Sequence, residues 1–317
     1  MNTKKQAVKN KSSFDINTLQ QDIKNTQRHI ADSIVNHTPT IIYGPPGTGK
    51  TKIILDVVND MTEDGRIGRF ETVQFHKKFS YEDFIEGFNP SANGFTKKDG
   101  VFKNFCSAPS AATKTDVFLI DEINRAELAA TFGETLFALE DRAKRSVKTA
   151  HFGDIFRIPE NLTLIGTMNT ADRNIQNMDF AIRRRFRFIP LFPSEPELKE
   201  WLNLVGFAFG EITVEEYCKF FSKINNRVRT HPLLGSHMQL GQSLFVPTSA
   251  KSPISLELLT EHFTEVIVAQ IEAYFGFGNQ RELSLIFNPR IADLYLCNRR
   301  VSPSDLAGLI REVINEH

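Results

Sequence analysis

The stretch "TIIYGPPGTGKT", residues 40–51, decides the fold of this chain. It joins a short apolar run to a glycine-rich loop that matches GxxxxGKT and leads into a helical pattern. Glycines in such a loop let backbone N–H groups close around a phosphate, and the N-terminus of the following helix adds a partial positive charge. The sequence therefore predicts a strand, a phosphate-binding loop and a helix, in that order.

Two residues of this loop have specific expected roles. Lys50 is expected to reach the β- and γ-phosphates of a nucleoside triphosphate, and Thr51 is expected to ligate Mg²⁺. A chance glycine turn is the alternative, but such a turn does not require the strand and the helix that flank this one. The residues expected to bind the nucleotide are Gly44, Pro45, Pro46, Gly47, Thr48, Gly49, Lys50 and Thr51.

A second motif, "DVFLIDEINRA" at 116–126, runs an apolar strand into two acidic residues. Asp121 is expected to hold Mg²⁺ through water. Glu122 is expected to act as general base on the attacking water, a role worth about 10²- to 10⁴-fold in rate. Alternatively, Glu122 favours the N-terminus of the next helix. Beside the phosphate loop, the acidic pair indicates hydrolysis as well as binding.

A third stretch, "LTLIGTMNTADRNIQNMDFAIRRRFRFIP" at 162–190, combines a strand, a polar strand end and an arginine run. Asn169 ends the strand and is expected beside the γ-phosphate, where its amide helps Asn124 and Glu122 to orient water. The run 183–185 is expected to supply an arginine finger to a neighbouring subunit's nucleotide, typically worth about 10³- to 10⁵-fold in rate. A solvated or acid-pairing face is the alternative for consecutive arginines.

Apolar runs alternate with helical patterns in the part of the chain that precedes residue 194. The spacing of apolar residues predicts helices at 50–61 and 128–139. This alternation predicts an α/β fold with a wound, mostly parallel, five-stranded sheet and helices on both faces. The predicted strands are "TIIY" at 40–43, "ETVQF" at 71–75, "DVFLI" at 116–120, "LTLIG" at 162–166 and "FRFIP" at 186–190.

The chain is expected to have three parts. Residues 1–26 are interpreted as a flexible polar tail, because the lysine-rich start offers little to bury. The α/β nucleotide-binding domain follows over 27–193 and begins with a short helix at 27–36, which Pro39 stops. Longer helical periodicities then predict a small, mainly helical lid domain over 194–317.

Charge and hydropathy limit the possible partners. The 38 Lys and Arg residues balance the 38 Asp and Glu residues, so no overall charge favours nucleic acid or a membrane surface. No apolar stretch approaches the roughly 20 residues of a membrane helix, and the N-terminus lacks the apolar core of a signal peptide. We therefore expect a cytoplasmic protein without a membrane partner. The basic segment "DRAKRSVKTAH" at 141–151 predicts a solvated turn or, alternatively, a pore-facing hairpin that contacts a partner or DNA.

Together these motifs resemble the AAA+ superfamily of ring-forming P-loop NTPases. More closely, they resemble the McrB family, the GTP-hydrolysing motor subunits of modification-dependent restriction systems. The resemblance extends from about residue 39 to about residue 250. The blocks that carry it are "YEDFIEGFNP" at 81–90, "DEINRA" at 121–126, "MNTADR" at 168–173, "DFAIRRRF" at 179–186 and "QLGQSLF" at 239–245.

The resemblance implies a hexameric ring that hydrolyses nucleotide at subunit boundaries and drives DNA translocation and cleavage by a separate McrC-like nuclease. DNA is then reached through the partner or the pore. The resemblance also implies GTP as the substrate, although ATP is compatible with every residue named. The matching residues are Asn124 as a water-orienting residue, Asn169, Asp172 and Arg173 as signature residues, and Arg184 or Arg185 as the finger acting in trans.

Two features depart from the McrB pattern. Residues 1–39 are too few for the DNA-reading domain that McrB proteins usually carry before the motor, so this chain is not expected to read a modified base itself. Gln242 stands where the family commonly has histidine, which leaves the contribution of the lid to nucleotide sensing open.

Two other functions are compatible with parts of this pattern. The motor residues fit equally well a remodelling ATPase of the MoxR or dynein-related type, which would act on protein complexes. The other alternative is a nucleotide-gated scaffold with little hydrolysis. The presence of Glu122, Asn169 and Arg184 argues against the scaffold, because a scaffold does not require hydrolytic residues.

Overall fold

The structure is a computed structural model. It describes residues 16–91, 94–140, 144–172, 179–206, 212–247, 254–297 and 301–316, and the side chains among them from residue 23 onward. Arg173, one of the expected signature residues, and residues 141–143 of the basic segment lie outside these ranges.

Strands and helices alternate through the first part of the described chain, and the second part is mainly helical. The strands are β1 (Thr40–Gly44), β2 (Ile67–Gln74), β3 (Glu86–Ser91), β4 (Gly94–Asp99), β5 (Thr115–Asp121), β6 (Val147–Lys148), β7 (Ile155–Phe156), β8 (Leu162–Asn169) and β9 (Arg187–Pro190). The helices of the first part are α1 (Ile16–Val35), α2 (Lys50–Glu63), α3 (Tyr81–Phe84), α4 (Val101–Ser107), α5 (Leu128–Phe132), α6 (Thr135–Ala138) and α7 (Phe180–Arg183). Those of the second part are α8 (Glu195–Val205), α9 (Val214–Thr230), α10 (Leu256–His262), α11 (Ala269–Phe275), α12 (Gln280–Ile286), α13 (Pro289–Leu296) and α14 (Pro303–Asn315), with a π-helical segment at Phe263–Val268 between α10 and α11.

Five strands form one sheet in the order β2-β5-β8-β1-β9, and every neighbouring pair is parallel. All five of these strands coincide with the runs predicted from the sequence, so the predicted sheet is confirmed. In the β1–β8 pair Gly44 lies opposite Asn169, and in the β5–β8 pair Ile120 lies opposite Gly166. The carboxyl ends of these three strands therefore meet at one edge, where open parallel sheets bind their ligands.

Helices cover both faces of this sheet, as predicted. Successive residues of a strand point to opposite faces. In β5, Val117 and Leu119 pack in a cluster with residues of α1 and α2, whereas Phe118 and Ile120 pack in another with residues of α3 to α7. Both clusters are buried, so the strand that carries the acidic pair at its end is fixed from both sides.

The helices after the sheet have a core of their own. The buried residues of a third cluster run from Leu198 to Val313, while those of the two sheet clusters end at Phe186 and Leu191. We propose the domain boundary near residue 194 because the buried residues divide there.

The helix predicted at 27–36 is present, but α1 begins at Ile16, so its predicted start and the prediction of a tail that includes residues 16–26 were wrong. Thr26 is buried in the same helix as Ile30 and Ile34, and Ile23 packs against the cluster that contains those two isoleucines. The inner face of the helix thus extends toward the N-terminus, but polar neighbours conceal its apolar spacing in the sequence.

One further predicted helix differs from the structure. The helix predicted at 128–139 is broken into α5 and α6, because Gly133 has a φ of 50° and ψ of −134°, outside the helical region. The basic segment 141–151 lies partly in a hairpin, because β6 pairs antiparallel with β7. Within the described ranges, no helix combines the length and the apolarity needed to cross a membrane.

Candidate active site

The phosphate loop connects β1 to α2 at the carboxyl edge of the sheet. Gly47 and Gly49 have φ values of 76° and 81°, a left-handed conformation that residues with a Cβ adopt rarely. The hydroxyl of Thr48 donates a hydrogen bond to the Pro45 carbonyl at 3.0 Å and closes the turn. Helix α2 begins at Lys50, and its first N–H groups lack intrahelical acceptors. The loop therefore has the local structure that an anion requires.

Lys50 lies inside this loop. Its ammonium group donates hydrogen bonds to the carbonyls of Gly44 at 3.1 Å and Pro45 at 2.8 Å. Burial lowers the pKa of Lys50 to about 8, although the carboxylates of Glu122, Asp121 and Asp172 oppose this shift. A buried cation whose partners are mainly neutral carbonyls is well suited to exchange them for phosphate oxygens.

Asp121 ends β5 beside the start of α2. Its Oδ1 accepts hydrogen bonds from the hydroxyls of Thr51 at 2.8 Å and Thr167 at 2.6 Å. Hydroxyl and carboxylate oxygens are the ligands that Mg²⁺ prefers, so Thr51 and Asp121 fit the ion expected from the sequence.

Thr167 is a site residue that the sequence analysis missed. It lies on β8 next to Gly166, which pairs with Ile120, and this register places it beside Asp121. Its hydroxyl oxygen also accepts a hydrogen bond from the Glu122 backbone N–H at 3.0 Å. One hydroxyl group therefore positions both acidic residues, and only the register of the two strands reveals it.

Glu122 has an unusual, constrained backbone conformation. Its backbone is left-handed, with φ 54° and ψ 43°, which is uncommon for a residue other than glycine. Its Oε1 accepts a hydrogen bond from the Asn169 amide at 2.5 Å, and its Oε2 accepts one from the Arg125 guanidinium at 3.2 Å. Glu122 precedes a 3₁₀ turn at Ile123–Arg125 but makes no side-chain capping hydrogen bond there. The helix-capping alternative therefore receives no support from these contacts.

Asn124 connects the acidic turn to the end of β8. Its amide group donates to the backbone carbonyl of Asn169 at 3.3 Å. Its Oδ1 is buried and accepts no hydrogen bond from the part of the chain that is described. Asn124 thus contacts Asn169 and has a buried acceptor atom that a water molecule could reach.

Asp172 lies after the end of β8 and is half-buried. Its charge acts on Lys50. Asp172 is therefore near Lys50, while Arg173 is outside the described residues.

The two finger candidates differ in their surroundings. Both contact the carboxylate of Glu140, Arg184 at 3.4 Å and Arg185 at 2.7 Å. The Arg185 side chain is 6% exposed and also donates to the Ala181 carbonyl at 2.8 Å, whereas the Arg184 side chain is 67% exposed. Arg185 is thus held inside its own subunit, and Arg184 is accessible to another molecule.

The helical lid contacts the phosphate loop directly. Gln242 is 1% exposed, and its amide donates to the Thr48 carbonyl at 3.0 Å. The hydroxyl of Ser243 donates to the Gly47 carbonyl at 2.9 Å. The block "QLGQSLF" was recognised in the sequence, but no local signal indicated that it packs on the loop.

Comparisons with known proteins identify relatives of this chain. Residues 39–186 match the family model of the AAA domain, dynein-related subfamily. The chain is 36% identical over 215 residues to the "Type IV methyl-directed restriction enzyme EcoKMcrB subunit" of Escherichia coli (strain K12), a match that covers 65% of this chain and 46% of that protein. It is 28% identical over 234 residues to the "Type II restriction enzyme BsuMI component YdiS" of Bacillus subtilis (strain 168), covering 60% of this chain and 67% of that protein.

These matches differ in how much of each protein they include. The chain spans about half the length of the Escherichia coli relative, since the match covers 46% of that protein. Among solved structures, a putative ATPase from Cytophaga hutchinsonii ATCC 33406 aligns with 95% of this chain and 84% of its own, at 14% identity and a TM-score of 0.38.

Proposed function

Because this chain is a McrB-like AAA+ protein, with a AAA domain of the dynein-related subfamily at residues 39–186, we propose that it hydrolyses nucleoside triphosphates as the ring-forming motor subunit of a restriction or anti-phage defence complex. The observation that carries this proposal is the hydrogen bond between Asn169 and Glu122 beside the Asp121–Thr51 pair. A site that only bound nucleotide would not require an oriented carboxylate at this position.

Binding depends on the loop and its lysine. When a triphosphate enters, the Lys50 ammonium exchanges two backbone carbonyls for phosphate oxygens, which are stronger acceptors because they are charged. Thr51 and Asp121 would hold Mg²⁺. Bound there, the ion would neutralise charge on the phosphates.

Hydrolysis depends on Glu122 as the proton acceptor. The carboxylate accepts a proton from the attacking water, while the Asn169 amide and the Arg125 guanidinium fix its two oxygens. The buried Oδ1 of Asn124 is available to accept a hydrogen bond from the same water molecule. Because these groups are positioned before the substrate binds, little reorganisation is needed at the moment of reaction.

In a ring, an arginine of the neighbouring subunit supplies a further positive charge to each bound nucleotide. We propose Arg184, rather than Arg185, as the finger that reaches a neighbouring subunit's nucleotide, because its side chain is exposed and weakly paired. A head-to-tail interface between identical subunits closes into a ring when the rotation permits, and we propose a hexamer.

The proposed substrate and partners rest on resemblance to other proteins. GTP is the proposed substrate by resemblance to the McrB family, and ATP fits every residue described. Both curated relatives are components of restriction enzymes, so the proposed partner is an McrC-like nuclease subunit, through which, or through the ring pore, DNA is reached.

The proposal is tested with purified protein and with the complex that it forms with the product of its genomic neighbour. Phosphate release from GTP and from ATP is measured with Mg²⁺, and plasmids with and without methylated cytosine are offered for cleavage. We expect turnover of at least one nucleotide, and nucleotide-dependent cleavage by the complex. Turnover without any response to the nuclease or DNA would favour a protein remodeller, and failure to bind either nucleotide would exclude the proposed motor.

A further inference from the structure

We propose that the lid segment 241–243 holds the phosphate loop in its nucleotide-binding conformation, with Gln242 as a positioning residue. This inference rests on the proposed function, because it concerns the same site. It assigns a role to the residue that departs from the McrB pattern.

Three consecutive carbonyls of the loop accept hydrogen bonds from the lid. The Gly241 N–H donates to the Pro46 carbonyl at 2.9 Å, and the Ser243 N–H donates to the Gly47 carbonyl at 3.0 Å. The Gln242 side-chain amide completes the set through the Thr48 carbonyl. The lid therefore donates a hydrogen bond to each of three successive carbonyl groups on the side of the loop that faces it.

The orientation of a carbonyl determines the orientation of the next N–H group. A trans peptide is planar, and its C=O and N–H groups point in opposite directions. Carbonyls that are fixed toward the lid therefore direct the N–H groups of Gly47, Thr48 and Gly49 away from it. Among the described residues, none accepts a hydrogen bond from these three N–H groups. The lid thus leaves a row of donors free for phosphate oxygens, as in other anion-binding loops.

The backbone of the lid lies very close to the phosphate loop at Gly241. A Cβ at Gly241 would lie 1.9 Å from the carbonyl carbon of Gly47 and 2.2 Å from the nitrogen of Thr48. A side chain at this position would therefore separate the two segments. Glycine is required at residue 241 to bring the backbone of the lid within hydrogen-bonding distance of the loop.

Gln242 connects the loop to the domain junction as well. Its Oε1 accepts the backbone N–H of Ser194 at 3.3 Å, and its amide also donates to the carboxylate of Glu197 on α8. One buried side chain therefore joins the loop, the linker and the first helix of the lid. Any change in the loop on nucleotide binding is transmitted to the lid, and by linkage, lid docking and nucleotide affinity must strengthen each other.

The inference is tested with Gln242→Met, which preserves the length of the side chain and removes its amide. We measure the Kd of fluorescent GTP and ATP analogues with Mg²⁺, together with kcat and KM for hydrolysis. The substitution removes the hydrogen bonds to Thr48, Ser194 and Glu197 together. The loss of the buried bond to the loop predicts a Kd and a KM about tenfold higher, with kcat within about threefold of the wild type. Gln242→His retains a ring N–H donor and should restore affinity to within about threefold of the wild type.

A matched control is available in the same lid. The Gln239 amide donates to the Asn225 carbonyl at 3.2 Å, and that acceptor belongs to α9 rather than to the loop. Gln239→Met should leave Kd unchanged. If Gln242→Met does not fold, as judged by its thermal transition, Ser243→Ala takes its place, since it removes one donor to Gly47 and retains the backbone contact. It should weaken binding about threefold.

The outcomes separate this inference from the proposed function. A wild-type protein that binds nucleotide while its folded Gln242 or Ser243 variant binds equally well overturns the inference alone. A wild-type protein that binds no nucleotide overturns the proposed function. Weaker binding by Gln242→Met, together with near wild-type binding by Gln242→His, supports the inference and the proposed function.

Discussion

The amide of Asn169 lies 2.5 Å from Oε1 of Glu122, although the two residues are 47 positions apart in the sequence. The contact joins the carboxyl ends of β8 and β5, the two strands that carry the polar residues of the site. It fixes the carboxylate in one orientation, which suits the proposed role of Glu122 as general base.

Replacement of Glu122 by glutamine should abolish turnover and preserve binding. The carboxamide retains the shape of the side chain but cannot accept a proton from water, so kcat should fall by about 10²- to 10⁴-fold. Nucleotide affinity should stay within about threefold of the wild type, because the loop and Lys50 are unchanged. Single-turnover phosphate release and equilibrium binding measure the two quantities, and a variant that hydrolyses at the wild-type rate would remove Glu122 from the mechanism.

Thr167 should influence the response to Mg²⁺. Thr167→Val removes the hydroxyl that Asp121 and Glu122 share, so we expect the Mg²⁺ concentration for half-maximal activity to rise roughly tenfold. Thr163 on the same strand is the matched control, because its hydroxyl donates to the Ile34 carbonyl at 3.0 Å, away from the site. Thr163→Val should leave the Mg²⁺ dependence unchanged, and an equal shift in both variants would contradict the assigned role of Thr167.

Nucleotide affinity should decrease above pH 8. Burial lowers the pKa of Lys50 to about 8 in the free protein, so the lysine loses its proton as the pH rises through that value. Phosphate binding requires the charged form of Lys50, so above pH 8 the lysine must take up a proton when the nucleotide binds. The Kd should therefore rise by up to about tenfold per pH unit above pH 8. Below pH 7 the lysine is already charged, and this dependence should disappear.

Calorimetry in buffers of different ionisation enthalpy measures the proton uptake directly. Lys50→Arg is the control, because a guanidinium stays charged throughout this range and any remaining slope belongs to the ligand. A wild-type Kd that is constant from pH 7 to pH 9.5 would show that Lys50 remains protonated in the free site.

Arg184 and Arg185 should have separable effects. Arg185→Ala removes a side chain that is 6% exposed and paired with Glu140 and Ala181, so Tm should fall by roughly 2–4 °C. Arg184→Ala should leave Tm unchanged, because this side chain is mostly exposed. Its turnover should instead fall by about 10³-fold or more. Thermal melts measure the change in Tm, and phosphate release measures the change in turnover. A loss of turnover in Arg185→Ala with a loss of Tm in Arg184→Ala would exchange the assigned roles.

The ionised carboxylate of Glu197 should lower the thermal stability of the folded protein at neutral pH. Burial raises the pKa of Glu197 above its ordinary value of 4.5, although Lys52 and the Gln242 amide oppose the shift. A raised pKa favours the folded state below pH 4.5, and this contribution is lost as the pH rises through the folded-state pKa. Glu197→Gln should therefore raise Tm at pH 7 by roughly 2 °C and give no gain at pH 4. An equal difference in Tm between Glu197→Gln and the wild type at pH 7 and at pH 4 would refute this explanation.

The sequence predicted the features that depend on neighbouring residues in the chain. Apolar runs and the glycine-rich loop are local signals, and they placed all five strands of the main sheet. Asp121 and Glu122 were found for the same reason, since they directly follow an apolar run.

The features that the sequence did not predict depend on tertiary contacts. Thr167 reaches Asp121 only through the register of two strands, and Gln242 reaches Thr48 from 194 positions away. Arg184 and Arg185 are adjacent and identical in chemistry, and they are distinguished by the exposure of each side chain and by the contact of Arg185 with Ala181. A pattern of residue types contains none of this information.

A mixing experiment tests most directly whether neighbouring subunits share each site. Arg184→Ala retains its own Glu122, and Glu122→Gln retains its own Arg184, so each variant alone should be inactive. In randomly mixed rings, about a quarter of the interfaces combine both intact residues, and turnover should recover to about that fraction of the wild-type rate. If the mixture remains as inactive as its components while forming the same assemblies as the wild type, Arg184 does not act across the interface.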